Sequence, residues 1–196
     1  MKKVVDTNFF VTACISNSYK NKILNYLKDN DSLTVLTISN EIRHKLLIIS
    51  TALTFFMKIS IKGDLTKFPV LNELKANVRE VYDYLVSLKE ADRYLIIQNI
   101  LRDAGKFLAF LNNINYYPPK DNEVLVIVEK HSPIFNVKLN GLKSRDINHL
   151  YLMYDYTQKF ASEIKFYTDD KGDYLNNKKL IESLFTDIKL MGFSDY

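Results

Sequence analysis

With 196 residues, 47% of them hydrophobic and 26% charged, the chain has the composition of a folded domain able to bury a core, away from the disordered and fibrous extremes. Its 27 Lys and Arg against 23 Asp and Glu leave a net charge of +4, which permits nucleic-acid binding without requiring it. The one cysteine, Cys14, excludes an intrachain disulfide and a thiolate zinc cluster, so a reducing cytoplasmic setting is expected and the thiol reads as buried and inert.

In chain order, Lys2 to Asp6 is a short β-rich run ending on an acid. Tyr19, Ile23, Tyr26 and Leu27 then recur at helical spacing before the Asp29-Asn30-Asp31 turn. Asp6 and Asn8 interrupt what would be the apolar core of a secretory leader, so secretion is not expected. Leu33 to Ile38 reads as a second strand, with Ser39 or Asn40 capping a helix that begins near Glu41. The apolar run Leu46 to Met57 is too short to cross a bilayer and reads as a buried helix.

From about residue 51 to 113 the pattern is helical, interrupted at Lys62-Gly63-Asp64 and Phe68-Pro69. Leu74, Val78, Val81, Leu85 and Leu88 draw one apolar stripe. Ile97, Ile100, Leu101, Ala104, Leu108 and Leu111 draw another, and the two read as a helical hairpin. Tyr116-Tyr117-Pro118-Pro119 breaks the helix. Val124 to Val128 fits a strand or a buried helical segment. Ser144 is placed to cap a helix with an apolar face of Ile147, Leu150, Tyr151 and Tyr154. Ile164 to Thr168 reads as a strand, Lys178 to Phe185 as a helix, and Ile188 to Met191 as a short strand. The β-α alternation at both ends of the chain predicts an α/β fold with a mainly parallel central sheet flanked by helices.

Four acids stand at the ends or starts of apolar stretches: Asp6, Glu41, Asp146 and Asp170. In open parallel sheets ligands bind beyond the carboxyl ends of the strands, where the strand order reverses, and one such edge can collect all four. Unpaired carboxylates there would repel one another, so a hard divalent cation is the expected partner. Mg²⁺ or Mn²⁺ in such a set supports phosphodiester hydrolysis. Each acid also has an ordinary role open to it. The helix dipole favours Glu41 and Asp146 in a first turn, Lys45 can pair with Glu41, and Asp169, Asp170 and Asp173 suit a turn around Gly172. Asp6, directly after Val4-Val5, is the hardest to explain as a surface charge. The three histidines, His44, His131 and His149, lack metal-ligand spacing, and no Ser/His/Asp arrangement, P-loop or Gly-rich dinucleotide turn occurs.

Val4-Val5-Asp6-Thr7-Asn8 and Thr168-Asp169-Asp170-Lys171-Gly172-Asp173, with Ile38-Ser39-Asn40-Glu41 and Ser144-Arg145-Asp146-Ile147 between them, resemble the motifs of a PIN domain, the nuclease fold of ribonuclease toxins and RNA-processing factors. The resemblance covers roughly the first fifty and last fifty-five residues. It implies a single PIN-like three-layer domain over residues 1–196, with a large helical insertion at about 51–142. It also implies a metal-dependent endoribonuclease whose metal-binding and catalytic acids are Asp6, Glu41, Asp146 and Asp170. Asp173 matches a further acid, Asn8 and Thr168 match supporting polar positions, and Asp169 stays open beside Asp170 as the residue facing the metal.

Lys138, Lys143, Arg145 and Lys171 lie near these motifs in sequence and are placed to neutralise phosphates. Tyr116 and Tyr117 are candidates for stacking on unpaired bases. The resemblance implies RNA as substrate, with DNA as the alternative, and an antitoxin protein as a compatible partner; an apolar stripe of the helical region left exposed would mark a homodimer or partner surface. Two other readings are an inactive PIN-like module that binds nucleic acid or protein, and a phosphohydrolase of the haloacid dehalogenase kind, against which Asn8 stands where a second aspartate is needed.

Overall fold

A computed structural model describes residues 1–59, 69–114, 116–135, 139 and 141–196. The chain is mixed α/β, mostly helical, with a small parallel sheet. It divides into two compact units, one formed by residues 1–6, 28–40 and 114–196, the other by residues 7–27 and 41–113. Among the described residues no helix is long and apolar enough to cross a membrane.

The first unit holds all the strands described. β1 (Lys2–Val5), β4 (Ile164–Tyr167) and β5 (Ile188–Met191) form a parallel sheet in the order β1-β4-β5, with Val4 opposite Phe166 and Phe166 opposite Leu190. β2 (Thr34–Val35) pairs in parallel with β3 (Tyr116–Tyr117). The segment entering β2 lines the free edge of β1, where Lys3 N donates to Asp31 O at 2.9 Å and Leu33 N to Lys3 O at 2.9 Å. Reading across, the order is β3, β2, β1, β4, β5, and the chain order reverses between β1 and β4. Val4 and Val5 are fully buried, as a central parallel strand requires. At the edge, β5 alternates buried Ile188 and Leu190 with exposed Lys189.

Two helices of this unit pack side by side, α7 (Asp121–Phe135) and α8 (Ser144–Phe160). Helix α9 (Lys178–Leu184) packs on β5. The Val124 to Val128 run is therefore helical. Tyr116 and Tyr117 do more than end a helix: their β-favouring side chains form a strand that the following two prolines stop.

The second unit is helical. It contains α1 (Thr7–Ala13), α2 (Asn17–Lys28, whose last residue falls in the first unit), most of α3 (Leu36–Ile59), α4 (Val70–Asn77), α5 (Arg79–Ser87) and α6 (Glu90–Leu111). Phe10 meets Tyr26 and Phe107 edge-on in its core, with ring centroids 6.2 and 6.0 Å apart. The helical unit takes in α1 and α2 as well as the helices that follow β2, and α7 lies in the sheet-bearing unit.

Three expectations for local structure are corrected. The second strand is only Thr34–Val35, and α3 starts at Leu36, because Ile38, Ile42, Leu46, Ile49, Leu53 and Phe56 form one buried stripe at helical spacing that runs back past the proposed cap. The expected hairpin is three helices. Asn77 Nδ2 donates to Glu73 O at 3.0 Å, and this competition for a backbone carbonyl coincides with a break at Val78 (φ −141°, ψ 63°). Ser144 is the first residue of α8 rather than its cap, a place taken by Lys143 with no side-chain capping bond. The break at Lys62-Gly63-Asp64 lies outside the described residues.

Cys14, just beyond α1, is buried, with its Sγ 3.4 Å from Phe10 O. Burial, reinforced by the charge of Asp103, pushes its thiol up to about 12. A thiol so held is a poor nucleophile at neutral pH. The folded protein should therefore leave Ellman's reagent unreacted, and denaturant should release one equivalent of thiol; a fast reaction in the native state would contradict the placement.

Candidate functional site

At the point where the strand order reverses, the carboxyl ends of β1 and β4 lie side by side. Asp6 N donates to Tyr167 O at 3.0 Å, the last rung of that ladder, and the Asp6 side chain emerges beyond it, buried at 6% exposure. Thr168 is fully buried and follows β4 directly. Its Oγ1 donates to Asp6 Oδ2 at 2.8 Å and accepts from Asp170 N at 3.1 Å. The hydroxyl therefore uses both of its capacities, fixing the Asp6 carboxylate while starting the turn that follows.

That turn is a single π-helical turn, Lys171–Leu175, capped by Asp170, whose Oδ1 accepts from Asp173 N at 2.9 Å. Asp173 is buried, and its Oδ2 accepts from Lys143 Nζ at 2.6 Å. Hydrogen bonding to Asp173, with the charges of Asp146 and Asp170 adding to it, raises the pKa of Lys143. An unbroken run of hydrogen bonds thus connects Asp6, Thr168, Asp170, Asp173 and Lys143. Asp170 is thus part of this run, while the neighbouring Asp169 is exposed, with its Oδ1 3.9 Å from where a side chain at Gly192 would begin.

Asp146 enters from the first turn of α8. Its Oδ1 lies 3.3 Å from the Tyr174 hydroxyl, 3.8 Å from Arg145 Nε and 4.0 Å from His149 Nδ1. Its Oδ2 is buried with no hydrogen-bond partner among the described residues. Burial, with the Asp173 charge behind it, holds this carboxyl above its ordinary range against the opposing pull of Arg145, Tyr174 and Lys143. A buried carboxylate oxygen without a donor is costly, and a cation is one group that relieves it.

Of the expected site residues, Asp6, Asp146, Asp170, Asp173, Thr168, Lys143, Arg145 and Lys171 all lie in the sheet-bearing unit, the last of them exposed at the π-helical turn. Glu41 and Asn8 belong to the helical unit. There Glu41 Oε1 is 3.3 Å from Lys45 Nζ, which also donates to Asn8 Oδ1 at 3.1 Å, so the ordinary i,i+4 pairing is formed. Glu41 sits in the second turn of α3, not its first. Lys143, expected on phosphate, is paired with Asp173. Lys138 lies outside the described residues. Among the described residues no group of three or more His, Cys, Asp or Glu side chains is gathered closely enough to hold a metal ion as placed.

Tyr174 was not anticipated as part of the site. It is buried against Phe166, ring centroids 4.9 Å apart, and its hydroxyl touches both Asp146 and His149 Nδ1, the latter at 3.1 Å. Its position one residue after Asp173 carried no signal in the sequence, because a tyrosine in an acidic turn reads as a surface residue.

No family model matches the chain, and no curated protein or solved structure resembles it closely enough to count as a match.

Proposed function

We propose that the sheet-bearing unit holds a divalent-cation site for phosphodiester hydrolysis, and that the chain is an endoribonuclease of the PIN type. What supports this is the run of hydrogen bonds that ties Asp6, Asp170 and Asp173 together at the reversal of strand order, with Asp146 joined to the same turn through Tyr174 and its Oδ2 buried with no hydrogen-bond partner among the described residues. The donor set suits the group: carboxylate oxygens alone favour Mg²⁺ or Mn²⁺ over softer metals. A bound divalent cation supplies neutralisation of the negative charge that develops on the phosphate during cleavage.

The chain's own residues prepare that site. Asp6 and Asp146 are the acids that would hold the ion, the first fixed by the Thr168 hydroxyl and the second by Tyr174. Asp170 is held by the Asp173 amide on Oδ1, so its other oxygen is aimed by the backbone rather than by a flexible stem. Lys143 neutralises Asp173 and, standing exposed at the start of α8, is within reach of a phosphate. Arg145 and Lys171, both exposed, add positive charge for the flanking backbone.

One observation favours a second reading. Lys143 already balances Asp173, and among the described residues no three acids are gathered to metal-ligand distance, an arrangement that also suits a non-catalytic nucleic-acid-binding module. A panel of end-labelled single-stranded RNA and DNA, incubated with Mg²⁺, Mn²⁺ or EDTA, separates the two. Internal cleavage of RNA that EDTA stops is the expected result. Binding without cleavage under every metal condition would replace the nuclease with the binding module.

A further inference from the structure

At the other end of the same unit, against the amino-terminal ends of the strands, a cavity of about 380 Å³ opens between the start of β1, the start of β3 and the last turn of α8. Its walls are aromatic. Tyr117 packs edge-on against Tyr156, centroids 5.3 Å apart at 80°, and against Phe160, 5.9 Å apart at 85°. Tyr117 is itself buried, but Tyr116 and Phe160, 40% and 51% exposed, present open ring surface along the cavity wall. The Tyr117 hydroxyl donates to the buried Asp155 Oδ2 at 2.6 Å, which anchors the platform from below.

Among the described residues, two lysines and no acid line this cavity. Lys2 is tethered to Asn30 O at 3.0 Å and lies 3.6 Å from Asp31. Lys159 Nζ stands 5.5 Å from the Tyr117 ring centroid and 5.7 Å from that of Phe160, with no carboxylate in ion-pair distance among the described residues. A wall of ring faces beside a cation suits a ligand that is itself flat, aromatic and anionic. An apolar peptide would leave the lysines unused.

The geometry points to this cavity as a subsite for an unstacked base of single-stranded RNA, with Lys159 on the adjoining phosphate. Asp146 and Phe160 lie fourteen residues apart on α8, so the subsite stands roughly 20 Å along the helix from the acids. It would hold a strand at a distance from the cleavage point rather than at it. The inference rests on the reading of this unit as one that handles RNA, and it deepens that reading by naming where the strand is gripped.

Fluorescence anisotropy of a labelled oligouridylate, measured in EDTA so that no cleavage intervenes, tests it. Stacking is lost base by base on alanine substitution, so Phe160→Ala and Tyr116→Ala should each weaken binding by about tenfold, while Phe160→Tyr keeps it. Lys159→Gln should lower the slope of log affinity against log salt by about one. Wild-type affinity in all these variants would overturn the subsite, as would UMP competing as strongly as the oligomer. RNA cleavage that survives while the pocket variants bind normally removes the subsite and leaves the nuclease. Pocket-dependent binding by a chain that never cleaves does the reverse.

Discussion

Asp146→Asn should reduce metal-dependent RNA cleavage by at least about a hundredfold while leaving the folded chain as stable as before or more so. The two halves of that result come from one feature. Asp146 Oδ2 is buried without a hydrogen-bond partner among the described residues, and burial already holds the carboxyl above its ordinary range, so without a cation the charge is a liability to the fold. An amide of the same shape removes the charge, keeps an acceptor for the Tyr174 hydroxyl and loses the affinity for a divalent ion. A residue whose role is purely structural would behave in the opposite sense, costing stability when replaced. Asp6→Asn should lose cleavage to a similar degree but gain no stability, because its Oδ2 is already satisfied by Thr168. Melting curves in EDTA beside single-turnover cleavage in Mn²⁺ read both quantities. Undiminished turnover in Asp146→Asn would remove this acid from the site.

Much of the frame that carries these acids was legible in the sequence, for a physical reason. β1, β4 and β5 are short runs bounded by charges and turns, and parallel pairing buries them as the pattern implies. Asp6 could be placed because an acid directly after such a run must emerge at the carboxyl edge, whereas the adjacent Asp169 and Asp170 after β4 left two candidates. Glu41 could not be placed as well, since the apolar residues around Ile38 satisfy a strand over six residues and a helix over twenty, and only the longer stripe decides between them. Lys143 illustrates a different limit. Nothing in the spacing of Lys143 and Asp173 shows that a turn of π-helix brings them to 2.6 Å. The division into two units was equally hidden, because α1 and α2 precede the second strand in the chain yet fold with helices that follow it.

The largest effect on stability is expected at a residue outside the site. Asp155, buried on the face of α8 that meets α7, accepts from Lys130 Nζ at 2.7 Å and the Tyr117 hydroxyl at 2.6 Å, and its Oδ1 lies 2.9 Å from His131 Nε2. Burial alone would raise its pKa, but these three bonds outweigh burial and hold it down to about 2. Asp155→Ala leaves the Tyr117 hydroxyl and His131 ring buried without their acceptor, whereas Lys130, 61% exposed at its side chain, recovers water. Removing one partner of such a buried network costs about 3–5 kcal/mol. For a chain of this size that lowers Tm by about 10 °C. Asp155→Asn should cost less, since one oxygen remains and the Tyr117 hydroxyl can turn to accept from the amide. The two variants also differ from wild type in acid. A carboxyl held low in the folded state contributes its full stabilisation above its unfolded value of about 3.9, and that contribution is lost as pH falls through about 2. Wild type should therefore lose roughly 2 kcal/mol from this group between about pH 4 and pH 2, and Asp155→Asn should lack that component of the acid transition. Superimposable pH–stability curves for the two proteins would show that the Tyr117, Lys130 and His131 bonds do not hold the carboxylate as the geometry implies.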